Sequence, residues 1–126
     1  MQEKPKSGRI LLVEDHQQLA EMRRAVLMLH GYEVVCVADG KEACRLLDQQ
    51  LFDLVVTDSE LPRVSGWEVA TAAKKQHLPV ILSSGWPVRL SPQQAATRGV
   101  DYIAPKPCTL ERLLTLIEKA LAKSVS

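Results

Sequence analysis

Arg9-Ile10-Leu11-Leu12-Val13-Glu14-Asp15 decides the reading of this chain: an unbroken apolar run that stops on two adjacent acids. A strand buried on both faces needs such a run, and strands of this kind belong to parallel sheets covered by helices. Three further runs end in the same way on a residue with chemistry to offer. Leu54-Val55-Val56-Thr57 is followed by Asp58, Val80-Ile81-Leu82-Ser83 by Ser84, and Tyr102-Ile103-Ala104-Pro105 by Lys106. If the runs are parallel neighbours, their carboxyl ends share one edge of a sheet. Ligands bind at that edge in open α/β sheets.

Between the runs the spacing turns helical. Over residues 17–30, Leu19, Met22, Val26 and Leu29 recur at intervals of three and four, which predicts one apolar stripe and assigns Met22 and Met28 to packing. Gly31 follows, where a helix end favours a left-handed residue. A second strand is expected over 33–38, then a helix to about 50 capped by Asp39, with Glu42 at the capping-box spacing. The third strand is 52–57. Ser65-Gly66-Trp67-Glu68 repeats the capping-box pattern and opens a helix to about 76. The fourth strand is 79–83. Ser91-Pro92 then sets a capping serine before proline at the first position of a short helix that ends by Gly99. The fifth strand is 102–104, and Thr109 starts a last helix with the face Leu110, Leu113, Leu114, Ile117 and Leu121. Five strand-helix units with right-handed crossovers predict a doubly wound, five-stranded parallel α/β sheet with helices on both faces. A closed barrel needs eight units. The expected organisation is a tail over residues 1–8 and one domain over 9–123.

Composition narrows the function. With 126 residues, 46% of them hydrophobic, the chain can build one real core. A net charge of +1 argues against a general polyanion binder, and no helix with clustered basic residues suggests direct nucleic-acid recognition. Cys36, Cys44 and Cys108 lack CxxC spacing and read as reduced structural thiols. The first eight residues carry no apolar signal core, and no stretch is long enough to insert in a membrane. The expected location is cytoplasmic.

Glu14, Asp15 and Asp58 on one edge repel one another. At about 4 Å and an effective dielectric near 20, each like-charge pair costs roughly 4 kcal/mol, so a cation or a raised pKa is needed. A few carboxylates in an open pocket suit Mg²⁺, which keeps several waters and also engages phosphate oxygens. Lys106 adds a mobile positive charge and Ser84 a hydroxyl donor. Metal, ammonium and hydroxyl together stabilise a transferring phosphoryl group. Asp58 is the natural nucleophile, since carboxylates form aspartyl phosphates. Taken singly, a strand-end Asp, a Ser before Gly or a Lys before Pro reads as turn or surface. The ordered set on four strand ends carries the argument.

That set resembles the bacterial response-regulator receiver domain, the phosphoacceptor of two-component signalling. The matching pieces are Leu12-Val13-Glu14-Asp15, Asp58-Ser59-Glu60-Leu61-Pro62 with Gly66, Pro79-Val80-Ile81-Leu82-Ser83-Ser84-Gly85, and Lys106-Pro107. Pro62 and Gly66 stand four and eight residues after Asp58, and Lys106 twenty-two after Ser84. The resemblance implies a flavodoxin-like fold of strand order 2-1-3-4-5 and a phosphoryl group accepted on Asp58 from a sensor histidine kinase or phosphotransfer protein. It implies Mg²⁺, with Mn²⁺ as a substitute, held by Asp15, Asp58 and the backbone carbonyl of Glu60, with Glu14 acting through water. Ser84 and Lys106 would bind phosphoryl oxygens, Lys106-Pro107 would be cis, and Gly85 would leave room for donor or water. The output partner, unidentified, would meet the face of the fourth helix, fifth strand and fifth helix. Such a module catalyses its own phosphotransfer without turning over a separate substrate, so it is not a conventional enzyme.

Several residues depart from the family pattern. Leu61 and Ser65 replace the usual Met and Asp without evident consequence. Ile103 stands where an aromatic switch residue is usual, and Tyr102, one residue early, should face the opposite side of the sheet. Cys108 replaces the usual Phe after Lys-Pro. Trp86, two after Ser84, has two readings: an indole shielding the acyl phosphate, or a ring lying on the surface over the short fourth helix. His16 reads as a solvent-facing helix-start residue. Two rival functions use the same residues. One is a Mg²⁺-dependent phosphohydrolase with Asp58 as nucleophile and Glu60 as the second acid. The other is an interaction domain that works without phosphorylation.

Overall fold

Parallel strands β1 (Arg9–Val13), β2 (Glu33–Val37), β3 (Leu54–Asp58), β4 (Val80–Ser84) and β5 (Tyr102–Pro105) form one sheet in the order β2-β1-β3-β4-β5. The computed structural model describes residues 8–85 and 91–125, so Trp86 and the segment before Gly8 lie outside the described residues. Helices α1 (Gln17–Leu29), α2 (Gly40–Gln49), α3 (Gly66–Lys75), α4 (Pro92–Thr97) and α5 (Leu110–Val125) follow the strands in turn. The expected architecture and strand order are therefore present, with strand limits moved by one or two residues.

Every residue of β3 and β4 is buried, as double-sided covering demands. Alternation divides the core in two. Leu11, Val13, Val55, Val80 and Leu82 pack with α2, α3 and α4 on one face, while Ile10, Leu12, Leu54, Val56 and Ile81 pack with α1 and α5 on the other. Each such side chain contributes roughly 1.5–3 kcal/mol by leaving water. Ile103 packs with the α2–α4 face and Tyr102 with the α1/α5 face, as strand alternation requires.

Helix α1 corrects the expected stripe. Its buried residues are Ala20, Arg23 and Leu27, with Leu19 and Val26 half-buried. Met22 and Met28 are each 48% exposed and Leu29 is 85% exposed, so none of them fills the core as the spacing suggested. The seam is rotated toward the small Ala20, which lets the helix sit close to the sheet. Helix α5 shows a milder shift: Leu113, Leu116, Ile117 and Ala120 are buried, and Leu114 and Leu121 pack at the margin.

Capping follows the sequence closely. Asp39 accepts the Glu42 N–H at 2.8 Å, although the Glu42 carboxylate pairs with Arg45 and does not return to the cap. Ser65 with Glu68 and Ser91 with Gln94 each form the full reciprocal box. Cys36, Cys44 and Cys108 are free thiols, each pushed up in pKa chiefly by burial.

Three helices end alike. Gly31 N–H donates to Met28 and Tyr32 N–H to Leu27; His77 donates to Lys74 and Leu78 to Ala73; Gly99 donates to Ala96 and Val100 to Ala95. This paired pattern needs a left-handed residue at its centre. Gly31 (φ 95°) and Gly99 (φ 90°) adopt it freely, but α3 uses His77 at φ 61°. An L side chain costs roughly 1–2 kcal/mol there. His77→Gly should therefore raise stability by about 0.5–1 kcal/mol despite the freer unfolded chain, read as a higher urea midpoint. A lower midpoint would show that the exposed imidazole contributes more than the backbone relief.

Candidate functional site

Each candidate residue sits at or just past a strand end, where the ladder continues by one bond and then releases the chain. Glu14 N–H donates to Val37 O at 3.0 Å, Ser59 N–H to Ser83 O at 2.9 Å, and Lys106 N–H to Ser84 O at 2.9 Å. Glu14, Asp58 and Lys106 continue the alternation of Leu12, Val56 and Ala104, so they emerge on the α1/α5 side of the sheet.

There they enclose a cavity of about 610 Å³ lined by Glu14, Asp15, Asp58, Glu60 and Lys106, with Arg23 and Cys108 in its wall. Carboxylate oxygens of Glu14, Asp15 and Asp58 all lie within 4.8 Å of one another. The Lys106 ammonium donates to both oxygens of Asp58, at 3.0 and 2.8 Å, and the Glu60 N–H donates to Asp58 Oδ1 at 3.2 Å. Asp58 is only 4% exposed. It forms part of the cavity floor, below the half-exposed Lys106 chain.

Glu14 is equally buried. Burial pushes its carboxyl up, and Asp58 adds to that push. The His16 N–H, donating at 3.0 Å, is the largest opposing influence, ahead of Lys106 and Arg23. His16 otherwise caps α1, its Nδ1 accepting the Leu19 N–H, and its ring is exposed as the sequence suggested. The donor set is entirely hard oxygen, crowded and anionic, and so fits Mg²⁺ better than a soft metal.

Ser84 lies buried at the end of β4, one residue beyond Ser83, the register partner of Asp58, and outside the cavity lining. Its alternation places it on the face of Leu82 and Ile103. Gly85 is exposed; a methyl there would lie 3.5 Å from Lys106 Cδ, an ordinary contact, so space alone does not demand glycine. The Lys106–Pro107 peptide is cis.

Two residues near the acids were not read from the sequence. Arg23, 5% exposed, sets Nη1 3.8 Å from Glu14 Oε1. Ser83 Oγ is buried with no hydrogen-bond partner. Arg23 shares its helix face with Ala20 and Leu27, three before and four after, so counting Ala20 in the stripe would have exposed it.

The loop from Asp58 to Gly66 is held from both ends. Val64 N–H donates to Pro62 O at 2.7 Å across a γ-turn centred on Arg63, whose φ is 68°. Arg63 Nη2 in turn reaches Asp39 Oδ2, at the α2 cap, at 2.9 Å. Gly40 abuts Val64: a Cβ on it would fall 2.0 Å from the Val64 carbonyl oxygen. Gly66 meets the acceptor itself, since a Cβ there would fall 2.0 Å from Asp58 O.

The fold and this edge define an α/β domain with an acid cluster and a lysine-clamped aspartate. Residues 10–118 match the response regulator receiver domain, and the chain belongs to that family. It is 34% identical to the transcriptional regulatory protein TctD of Salmonella typhimurium, covering 92% of this chain and 53% of that protein. Identity to the transcriptional regulatory protein CpxR of Escherichia coli is 30%, covering 93% and 50%. The chain thus spans about half the length of these relatives. Among solved structures, the CheY-like response regulator receiver domain protein of Methanospirillum hungatei superposes with a TM-score of 0.85 at 26% identity, covering 94% of this chain and 97% of that one. This is therefore a receiver domain of the two-component response regulators, a class that works with sensor kinases and output domains. Such domains bind Mg²⁺ at an acidic pocket, and the acid cluster described above is of that kind. Among the described residues no helix is long and apolar enough to cross a membrane.

Gly66→Ala should displace the Asp58 carbonyl and destabilise the domain by on the order of 2 kcal/mol, read from the urea midpoint. An unchanged midpoint would show that α3 can slide away without disturbing the acceptor loop.

Proposed function

We propose that this receiver, spanning residues 9–123 behind a tail over 1–8, accepts a phosphoryl group on Asp58. The observation that carries the reading is the Lys106 ammonium bonded to both Asp58 oxygens beside the Glu14 and Asp15 carboxylates. An Asp58 oxygen attacks the phosphorus of a phosphohistidine on a sensor kinase or phosphotransfer protein. The new O–P bond forms as the N–P bond breaks, and the departing imidazole takes up a proton.

Asp15, Asp58 and the Glu60 carbonyl, with Glu14 through water, would hold Mg²⁺ or its substitute Mn²⁺, which when bound neutralises charge on the phosphoryl oxygens. Lys106 transfers its ammonium from the carboxylate to the phosphoryl group. Ser84 donates its hydroxyl to another phosphoryl oxygen and draws the end of β4 with it. The Lys106 N–H to Ser84 O bond couples that motion to β5. With Ile103 in place of an aromatic, the change reaches the α4–β5–α5 face through the backbone of β4 and β5. A partner there, in the cytoplasm, reads the result. The product is a changed contact, so the domain acts as a switch with self-catalysed phosphotransfer and no separate substrate. The family match favours neither the phosphohydrolase nor the phosphorylation-independent reading.

Incubation with Mg²⁺ and a small acyl-phosphate donor should add one phosphate to the intact mass. The gain should vanish for Asp58→Asn and without divalent cation, and fall at least about tenfold in rate for Lys106→Met. An unmodified wild-type mass, or phosphate retained by Asp58→Asn, sinks the assignment.

A further inference from the structure

The acid cluster has a second cation besides Lys106, and the phosphotransfer scheme does not use it. Arg23 belongs to α1, is 5% exposed and lines the same cavity as Glu14, Asp58 and Lys106. Among the described residues, Glu14 at 3.8 Å is its one ion-pair partner. That distance is long for a charge-assisted hydrogen bond, so the guanidinium acts as a nearby charge and not as a bidentate clamp. A buried charge is retained only where opposite charge offsets its desolvation. Here the surplus of carboxylate provides it.

We propose that Arg23 is a built-in counter-charge of the acid cluster, weakening divalent-cation binding to the unphosphorylated site while matching the charge of the phosphorylated one. Glu14, Asp15 and Asp58 bring three negative charges, and Lys106 and Arg23 two positive ones, leaving a formal −1 for these clustered groups, with the exposed Glu60 that also lines the cavity outside the count. Without Arg23 the site would stand at −2 and would attract a divalent cation more strongly. A phosphoryl group changes Asp58 from one negative charge to about two. With the divalent cation bound, that state sums to zero when Arg23 is present and to −1 when it is absent. Arg23 therefore favours binding the cation together with the phosphoryl group over binding it alone. This inference rests on the phosphoacceptor reading for its purpose, but its test is read on cation binding.

Mg²⁺ is titrated calorimetrically into wild type, Arg23→Met and Arg23→Lys at one ionic strength, with circular dichroism melts in parallel. Arg23→Met should bind Mg²⁺ roughly three- to tenfold tighter, and Arg23→Lys within about twofold of wild type. A residue that only supports the fold would give weaker or unchanged binding on removal, and that result overturns the proposal. So does a wild type that binds no Mg²⁺. If Arg23→Met does not fold, Glu14→Gln, in which Arg23 keeps Asp15 and Asp58 in the same cavity, is compared with Glu14→Gln/Arg23→Met, in which neither member of the pair is left charged. Tighter binding by the double variant supports the proposal, and equal or weaker binding overturns it. An Asp58 that takes no phosphate would sink the functional reading and leave this comparison legible.

Discussion

Mutual repulsion among Glu14, Asp15 and Asp58 is the constraint from which the rest of the molecule follows. Carboxylate oxygens within 4.8 Å cannot be held at one sheet edge by packing alone. Positive charge has to be delivered from elsewhere in the chain. The fold does so from two elements: the chain leaving β5 sets Lys106 on Asp58 at 2.8 Å, and α1 carries Arg23 to within 3.8 Å of Glu14. Lys106 is 48 residues from Asp58 in sequence, whereas Arg23 comes from the helix that directly follows Glu14 and Asp15. The two-sided sheet makes the meeting possible, because β1 and β3 are neighbours while β4 and β5 carry the lysine to the same edge.

Most of the architecture was legible in the sequence because its strands obey one simple rule. Strands buried on both faces leave no choice of register face, so Ile10–Val13 in β1 and Val80–Leu82 in β4 read as continuous apolar runs. The helix starts were equally plain: Asp39, Ser65 and Ser91 all cap as their side chains predict. The acids, Ser84 and Lys106 could be found because each terminates a run.

What escaped the sequence lies on α1, where helical spacing allows more than one seam. Leu19, Met22, Val26 and Leu29 have the right intervals, yet Leu29 is 85% exposed and the polar Arg23 is buried. Hydrophobic counting favours large residues, but close approach to the sheet favoured Ala20, and the charge of Glu14 made room for a guanidinium. Cys108, smaller than the Phe usual after Lys-Pro, lines the same cavity, which extends toward Arg23. A one-residue departure from the family pattern and a buried charge on another element thus belong to one local arrangement. No spacing rule links residues 23 and 108.

The glycines bordering the site differ in how much room they have. Along the loop that leaves β3, Gly66 meets Asp58 O and Gly40, the first residue of α2, meets Val64 O, each 2.0 Å from where a Cβ would fall, and Arg63 beside Val64 sits at φ 68°. At the exit of β4, Gly85 would tolerate a methyl at 3.5 Å from Lys106 Cδ. The pocket therefore has one unyielding wall and one compliant wall. If Asp58 takes up charge as proposed, the acceptor side is closed by the contacts with α2 and α3, and the end of β4 is the side with room to move. On that reading, the direction of the signal is a matter of which wall can give.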